Sequence, residues 1–108
     1  MINEKQKKRI YCFLGLIKKA GKLTAGEKKA EIAIKKGKDI LTIIAEDASP
    51  NTKKKFEDML IYRKRDYVVF GEKYDSGYSM GDSERAVIVI LDKGFAEKFK
   101  ELLKEAEI

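Results

Sequence analysis

The chain has 108 residues, the length of one domain, and its 44% hydrophobic content is enough for one continuous core. One cysteine and no histidine exclude an internal disulfide, a zinc site with the usual ligands and any histidine-based catalytic triad. The formal charge of +6 is concentrated at one end, because residues 1–38 carry twelve Lys or Arg against three Glu, whereas residues 39–108 carry twelve against fifteen acidic residues.

The first predicted element is a helix over residues 4–19, indicated by apolar residues at i, i+3, i+4 and i+7 and ended by Gly21. Its inward positions are Ile10, Phe13, Leu14 and Ile17. Cys12 lies in the same stretch, and we interpret it as a small core residue rather than a reactive thiol, because free cysteines are commonly buried.

Residues 22–25 can form only a short strand, and a second helix is predicted between Gly26 and Gly37. Its inward positions are Ala30, Ala33 and Ile34, and its outward face carries lysines. Residues 40–45 form a near-continuous β-rich run, which is typical of a strand covered on both sides.

A third helix is predicted after this strand, with Ser49 as its N-cap and Pro50 as its first residue. Its inward positions are Phe56, Met59 and Leu60. After a charged corner at residues 63–66, residues 67–70 are predicted to form a short strand.

The last third of the chain begins with a glycine-spaced segment, residues 71–85, that has room for one short helix. A strand over residues 86–91 and a helix over residues 93–106 follow. The inward positions of this helix are Phe95, Phe99, Leu102 and Leu103. This alternation predicts an α/β fold, a three-layer α/β/α sandwich around a mixed sheet of about four strands, in one domain over residues 1–108.

Two features of the sequence bear on the cellular location of the protein. The longest apolar stretches, residues 40–45 and 86–91, are far shorter than the ~20 residues that cross a bilayer. The amino-terminal residues 1–9 are charged and lead into an amphipathic pattern, unlike a signal peptide. We therefore expect a cytoplasmic protein with no membrane partner.

Three segments are candidates for a shared site, because ligands of α/β sheets usually meet the loops at strand ends. These segments are residues 25–26, 46–47 and 77–85. In the first, Gly26 to Lys29 combine the N–H groups of a helix start with two lysines, which suits phosphate oxygens and base edges. The basic first third favours a nucleic acid too, although an anionic membrane or simple solvation of helix faces would also fit this charge.

Four motifs carry a resemblance to a known family. They read Phe-Leu-Gly-Leu-Ile-Lys-Lys-Ala-Gly-Lys-Leu at 13–23, Gly-Glu-Lys-Lys at 26–29, Ala-Glu-Asp-Ala-Ser-Pro-Asn-Thr at 45–52 and Gly-Tyr-Ser-Met-Gly at 77–81. In order and spacing the chain resembles the ribosomal L7Ae/L30e superfamily, and most closely its bacterial YlxQ-like members. The resemblance implies an α/β/α sandwich that binds RNA kink-turns or related internal loops through the second helix start and the loop before the last strand.

On this basis we expect a ribosome- or translation-associated RNA-binding protein that is not an enzyme, needs no cofactor and is monomeric when free. Its partners would be structured RNA and, in the same complexes, ribosomal or transcription proteins. The alternative is a protein-interaction module that uses the same edge without contacting RNA. Salt dependence separates the two, because each lysine–phosphate contact makes log affinity fall by roughly 0.7 to 0.9 per unit of log salt.

The helix start departs from the family pattern at two positions. Gly26 and Lys28 match the pattern, but Lys29 stands where Glu or Gln is usual, and Ile32 replaces a final lysine that contacts the RNA backbone. Lys29 can donate to a guanine edge or a phosphate but cannot accept. We therefore predict an altered or relaxed sequence preference rather than lost affinity.

The loop of residues 78–85 offers Tyr78 and Met80 to stack on splayed bases and Arg85 to contact phosphate. Core packing is an equally good interpretation of Met80. The Glu46-Asp47 pair is interpreted as a dipole and capping arrangement before the Ser-Pro helix start rather than as a catalytic pair. The predicted RNA-binding residues are Lys22, Gly26, Glu27, Lys28, Lys29, Glu46, Asp47, Tyr78, Met80, Gly81, Asp82 and Arg85, and none is assigned to catalysis or to a metal.

Overall fold

Helices and strands alternate along residues 2–107, the part of the chain that the computed structural model describes. The five helices are Glu4–Lys19 (α1), Glu27–Lys35 (α2), Pro50–Tyr62 (α3), Lys73–Ser79 (α4) and Lys93–Ala106 (α5). The four strands are Leu23–Ala25 (β1), Leu41–Ile44 (β2), Tyr67–Val69 (β3) and Val87–Ile90 (β4). Each element lies inside the segment predicted for it. Within this part of the chain, no helix has the length and hydropathy needed to cross a bilayer.

The four strands form one mixed sheet in the order β1-β4-β2-β3. Strand β4 is antiparallel to both of its neighbours, and β3 is parallel to β2. The ends of β1, β2 and β3 therefore lie at the same edge of the sheet as the beginning of β4. This edge brings together segments that are far apart in the sequence.

Helices cover both faces of the sheet, which confirms the predicted three-layer α/β/α fold. On one face, α1 and α5 pack against the two central strands. Leu14 and Phe99 of these helices lie in one core cluster with Ile43 and Ile88 of the strands. On the other face, α2 and α3 pack against the alternate residues of the same strands. All residues of β2 and β4 are buried, because these two strands have a helix layer on each side.

The start of α3 has the predicted cap. Ser49 Oγ accepts a hydrogen bond from the Thr52 N–H at 3.2 Å, and Pro50 is the first helical residue. Asn3 and Asp92 cap α1 and α5 in the same way. These caps satisfy N–H groups that a helix cannot pair internally.

The prediction of a buried Cys12 is wrong, because its side chain is exposed. Ile10 and Leu14 define the buried face of α1, and Cys12 is two residues from each. An α-helix turns by about 100° per residue, so this position lies roughly 200° away from both and faces solvent. Three further positions that were predicted to point inward, Phe13, Met59 and Phe95, are only half-buried at the margins of the two cores.

Candidate nucleic-acid interface

Three backbone hydrogen bonds bring the predicted site segments together at one edge of the sheet. The Gly26 N–H donates to the Val87 carbonyl at 2.9 Å. The Ala45 N–H donates to the Ala86 carbonyl at 2.8 Å, and the Glu46 N–H donates to the Gly71 carbonyl at 2.7 Å. The beginning of α2, the β2–α3 loop, the start of β4 and the residues just before α4 therefore lie on one surface.

Among the residues that the structure describes, none provides a side-chain cap at the start of α2, unlike the starts of α1, α3 and α5. Its N-cap is Gly26, whose φ of 104° lies in a region that L side chains rarely adopt. The first N–H groups of a helix have no intrahelical partner, so here they remain available to an anion. Glu27 accepts a hydrogen bond from Thr52 Oγ1 at 3.3 Å, which connects this start to that of α3.

Lys28 and Lys29 are exposed at this start, and neither forms an ion pair within residues 2–107. The next acidic residue of α2, Glu31, instead pairs with Lys35 at 2.8 Å and with Lys55 at 2.7 Å. Hydrogen bonds from Lys35 and then from Lys55 lower the pKa of the Glu31 carboxyl to about 2. The charge of Lys35, farther along α2, is thus neutralised, while the two lysines at the start of the helix keep their charge.

Replacing Lys55 by alanine should raise the pKa of Glu31 from about 2 toward its ordinary value of 4.5. A carboxyl whose pKa is lowered by folding stabilises the fold above pH 4.5, and this contribution is lost as the pH falls through about 2. An NMR titration of the side-chain carboxyl carbon measures the midpoint in both proteins. Lys53→Ala serves as the control and should leave the midpoint unchanged. An identical midpoint in the Lys55 variant would contradict the assigned pairing.

Asp47 is a helix cap, as predicted, but it caps α4 rather than α3. Its Oδ1 accepts a hydrogen bond from the N–H of Lys73, the first residue of α4, at 2.8 Å. Ser49 alone provides the side-chain cap of α3. The Glu46 side chain is exposed at the same edge, and its backbone N–H holds the segment before α4. These acidic residues therefore connect the β2–α3 loop to α4.

The loop between α4 and β4 is held from two sides. Lys18 Nζ of α1 contacts Asp82 Oδ2 at 2.8 Å, and this hydrogen bond lowers the pKa of the Asp82 carboxyl. The Asp82 N–H donates to the Gly77 carbonyl at 2.8 Å, and Gly81 makes the turn with a φ of 75°. The loop thus has a defined position beside the start of α2.

Met80 belongs to the core, which decides between the two interpretations that the sequence left open. Its side chain is 8% exposed and packs in the cluster between α1, α5 and the sheet. It reaches the core because α4 crosses α1 closely at Gly15, where an added Cβ would lie 2.7 Å from the Ser79 carbonyl oxygen. Met80 is therefore not available to stack on a base, and that part of the prediction is corrected.

Tyr78 is 74% exposed on the outward face of α4, and Tyr74 beside it is 63% exposed. Their rings are nearly parallel, with centroids 6.1 Å apart and planes 13° apart. Tyr74 is not among the residues predicted from the sequence. Its spacing of four residues from Tyr78 places both rings on one helix face, and that spacing could have revealed the pair.

Arg85 is turned back onto its own loop. Its Nη1 donates to Ser83 Oγ and to the Glu84 carbonyl, both at 2.9 Å, and its Nη2 lies 3.9 Å from Asp82 Oδ1. A phosphate contact by this side chain would have to replace some of these bonds.

Lys22 lies away from the other predicted site residues. Its carbonyl accepts from the Leu91 N–H at 2.8 Å, at the end of β1 opposite Gly26. Four residues of extended chain separate the two positions by about 13 Å. The structure therefore does not place Lys22 at the start of α2.

Comparison with known proteins agrees with this architecture. Residues 8–100 match the model of the ribosomal protein L7Ae/L30e/S12e/Gadd45 family. The protein named RNA-binding protein YlxQ of Bacillus subtilis (strain 168) is 37% identical over 90 residues, which are 83% of this chain and 90% of that protein. Its namesake in Enterococcus faecium is 36% identical over 104 residues, which are 95% and 99% of the two chains. The chain belongs to the L7Ae family.

Solved structures support the same fold. A Bacillus halodurans protein described as having unknown function superposes with a TM-score of 0.83 at 32% identity, covering 89% of this chain and 97% of its own. The Giardia lamblia 15.5kD RNA binding protein superposes with a TM-score of 0.76 at 21% identity, covering 99% and 92% of the two chains. The second comparison shows the fold alone, which this chain shares over nearly its whole length.

The two positions at which this L7Ae-family chain departs from the expected motif lie on the same face of α2. Lys29 and Ile32 are exposed, and both line a depression between α2 and β1, the outermost strand on that side of the sheet. Ile32 therefore offers an apolar surface next to a cation. This arrangement changes the contacts available beside the helix start without removing its positive charge.

Proposed function

We propose that this L7Ae-family protein binds structured RNA, such as a kink-turn or a related internal loop, at the edge of the sheet where α2 begins. The observation that carries the proposal is the start of α2 at Gly26, which has no side-chain cap and has two lysines in its first turn that form no ion pair among residues 2–107. Backbone N–H groups, a helix dipole and two cations in one place suit phosphate oxygens and base edges. The relatives named RNA-binding protein YlxQ support this assignment.

The neighbouring elements add contacts of different kinds. Lys28 and Lys29 donate to phosphates or to guanine edges, and Lys29 cannot accept from a base amino group. Tyr74 and Tyr78 on the exposed face of α4 offer ring faces to unpaired bases. The resulting interface favours RNA with unstacked bases, and its sequence preference is altered or relaxed relative to the usual family motif.

In this proposal the protein acts in the cytoplasm as a monomer that joins ribosomal or transcription complexes through RNA. We propose no catalytic role for it, since two carboxylates at the edge take part in structural contacts. Asp47 caps α4, and Asp82 pairs with Lys18. Neither carboxylate is left over as an acid or base beside the lysines.

Replacing both Lys28 and Lys29 by alanine should weaken RNA binding by about 10-fold or more and reduce the slope of log affinity against log salt by roughly 1.5. The reason is that two cations are lost from the helix start. Binding is measured by fluorescence anisotropy at several salt concentrations. The RNAs are a kink-turn and a matched hairpin that lacks the tandem G·A pairs.

The matched control replaces Lys98 and Lys104 of α5, which lie on the opposite helix layer. This variant loses the same charge and should bind as the wild type does. A kink-turn preference that disappears in the α2 variant establishes kink-turn recognition, and equal binding of both RNAs by the wild type establishes relaxed specificity. Absence of binding to either RNA at low salt would overturn the proposal in favour of a protein-interaction module.

A further inference from the structure

Strand β3 is the last strand on its side of the sheet, and its outer side pairs with no strand within residues 2–107. The Asp66 carbonyl and the Phe70 N–H, at the two ends of the strand, both bond to β2, at 3.2 and 3.0 Å. In a parallel pair the residues between the bonded positions direct their N–H and C=O groups away from the neighbouring strand. The backbone groups of Tyr67 and Val69 therefore point to the free edge.

The sequence of β3 lacks the features that commonly prevent pairing at a free edge, which are proline and charged side chains within the strand. Residues 67–69 read Tyr-Val-Val, and Val69 is 46% exposed. Because β3 has only three residues, its edge suits a short extended segment rather than long edge-to-edge pairing. It thus offers both backbone and apolar groups to an added strand.

A groove of about 590 Å³ lies beside this edge, on the sheet face that α1 and α5 cover. Its apolar lining includes Val68 and Phe70 at the edge, Ile2 before α1 and Leu103 of α5. Side chains of a strand alternate between the two faces of a sheet, so every second residue of an added strand would point into this groove. One extended segment can therefore occupy the edge and the groove together.

The two ends of the edge carry opposite charges. Arg63 and Lys64 precede β3, and neither forms an ion pair within the described part of the chain. At the other end Glu46 lines the groove, and Glu72 reaches Lys7 only at 3.9 Å. An antiparallel segment complements these charges if it has a basic residue at its amino end and an acidic residue at its carboxyl end.

We infer that the free edge of β3 binds an extended segment of a partner protein, which joins the sheet as an antiparallel strand. Main-chain hydrogen bonds to Tyr67 and Val69 hold the segment, and the groove selects apolar side chains at alternate positions. A second copy of this chain fits less well, because its own α1 and α5 flank its β3 and limit the contact to the short strand. Such a contact is far smaller than the ~800 Å² per partner of a stable dimer.

The probe is a synthetic peptide with blocked ends, Lys-Val-Thr-Val-Thr-Val-Glu. Its five central residues read the same in both directions, so exchanging the Lys and the Glu gives a control of identical composition. The first peptide should slow amide hydrogen exchange at Tyr67 and Val69 by about 10-fold or more, whereas the Phe70 N–H is already bonded to β2. Fluorescence anisotropy should give the exchanged peptide a roughly 5-fold weaker affinity, because its terminal charges oppose those of the edge.

Val69→Pro removes a donor from the outer edge without removing a bond to β2, and proline is accepted in edge strands at such positions. It should weaken peptide binding by roughly 10-fold or more and leave RNA binding unchanged. Val69→Thr keeps the N–H group and should bind the peptide within about 2-fold of the wild type. Should the proline variant not fold, Glu46→Lys with Glu72→Lys gives a second test, since it should remove the preference for the first peptide.

Three outcomes would overturn the inference. They are the absence of binding by either peptide, equal affinity for the two peptides, and binding that leaves hydrogen exchange at Tyr67 and Val69 unchanged. Self-association of the protein alone that Val69→Pro abolishes would assign the edge to a second copy and would overturn it too. None of these results bears on RNA binding at the start of α2, so the proposed function stands or fails separately.

Discussion

Replacing Gly77 by alanine should lower the free energy of unfolding by about 3 kcal/mol, at the upper end of what overpacking usually costs. A Cβ at this buried position would lie 1.8 Å from the carbonyl oxygen of Ser83 and 2.6 Å from its carbonyl carbon. Both are backbone atoms, so no side-chain rotation can relieve the clash. Either α4 or the loop before β4 must move.

The same substitution should weaken RNA binding in the fraction of protein that remains folded. The Asp82 N–H donates to the Gly77 carbonyl, and Asp82 also holds Lys18, so displacement of the loop breaks both contacts. The start of α2 remains in place because it is attached to Val87 instead. We therefore expect a partial loss of affinity, smaller than that of the lysine variant at the helix start.

Gly94→Ala provides the matched control for this prediction. Gly94 lies in the first turn of α5, and its added Cβ would approach only the side-chain oxygen Oδ2 of Asp92, at 3.3 Å. The change in stability should stay within about 0.5 kcal/mol, since alanine also favours the helix. Urea unfolding of both variants gives the comparison. A Gly77 variant as stable as the Gly94 variant would show that the loop can move without cost.

The fold could be predicted because its apolar pattern is local. Helices α1, α2, α3 and α5 repeat buried residues at intervals of three or four, and the two central strands are almost entirely apolar because both faces are covered. The cap of α3 was predictable for the same reason, since Ser49 and Pro50 are adjacent to the turn they define. Signals of this kind do not depend on which other element is nearby.

Parts of the candidate site could not be predicted because they depend on contacts between distant segments. Asp47 lies two residues before Ser49, yet its partner is the N–H of Lys73. Met80 is buried because α4 approaches α1 closely at Gly15. The sequence gives the types of these residues but not the approach of two helices, and only that approach decides whether a side chain faces solvent.

Replacing Arg65 by alanine should destabilise the protein by about 3 kcal/mol, because it would leave a buried carboxylate without its partner. Asp39 is 1% exposed, and Arg65 Nε lies 3.2 Å from its carboxylate. The guanidinium also donates to the Asp39 carbonyl and, at 3.5 Å, to the Gly37 carbonyl. One side chain thus joins the corner between α3 and β3 to the turn between α2 and β2.

Arg63→Ala removes an exposed arginine two residues away and should change stability by no more than about 0.5 kcal/mol. Asp39→Asn combined with Arg65→Ala should cost less than the sum of the two single substitutions, by about 1 kcal/mol or more, because the carboxylate is no longer charged when its partner is absent. Denaturant unfolding of the complete cycle measures this coupling. Additive effects would contradict the ion pair.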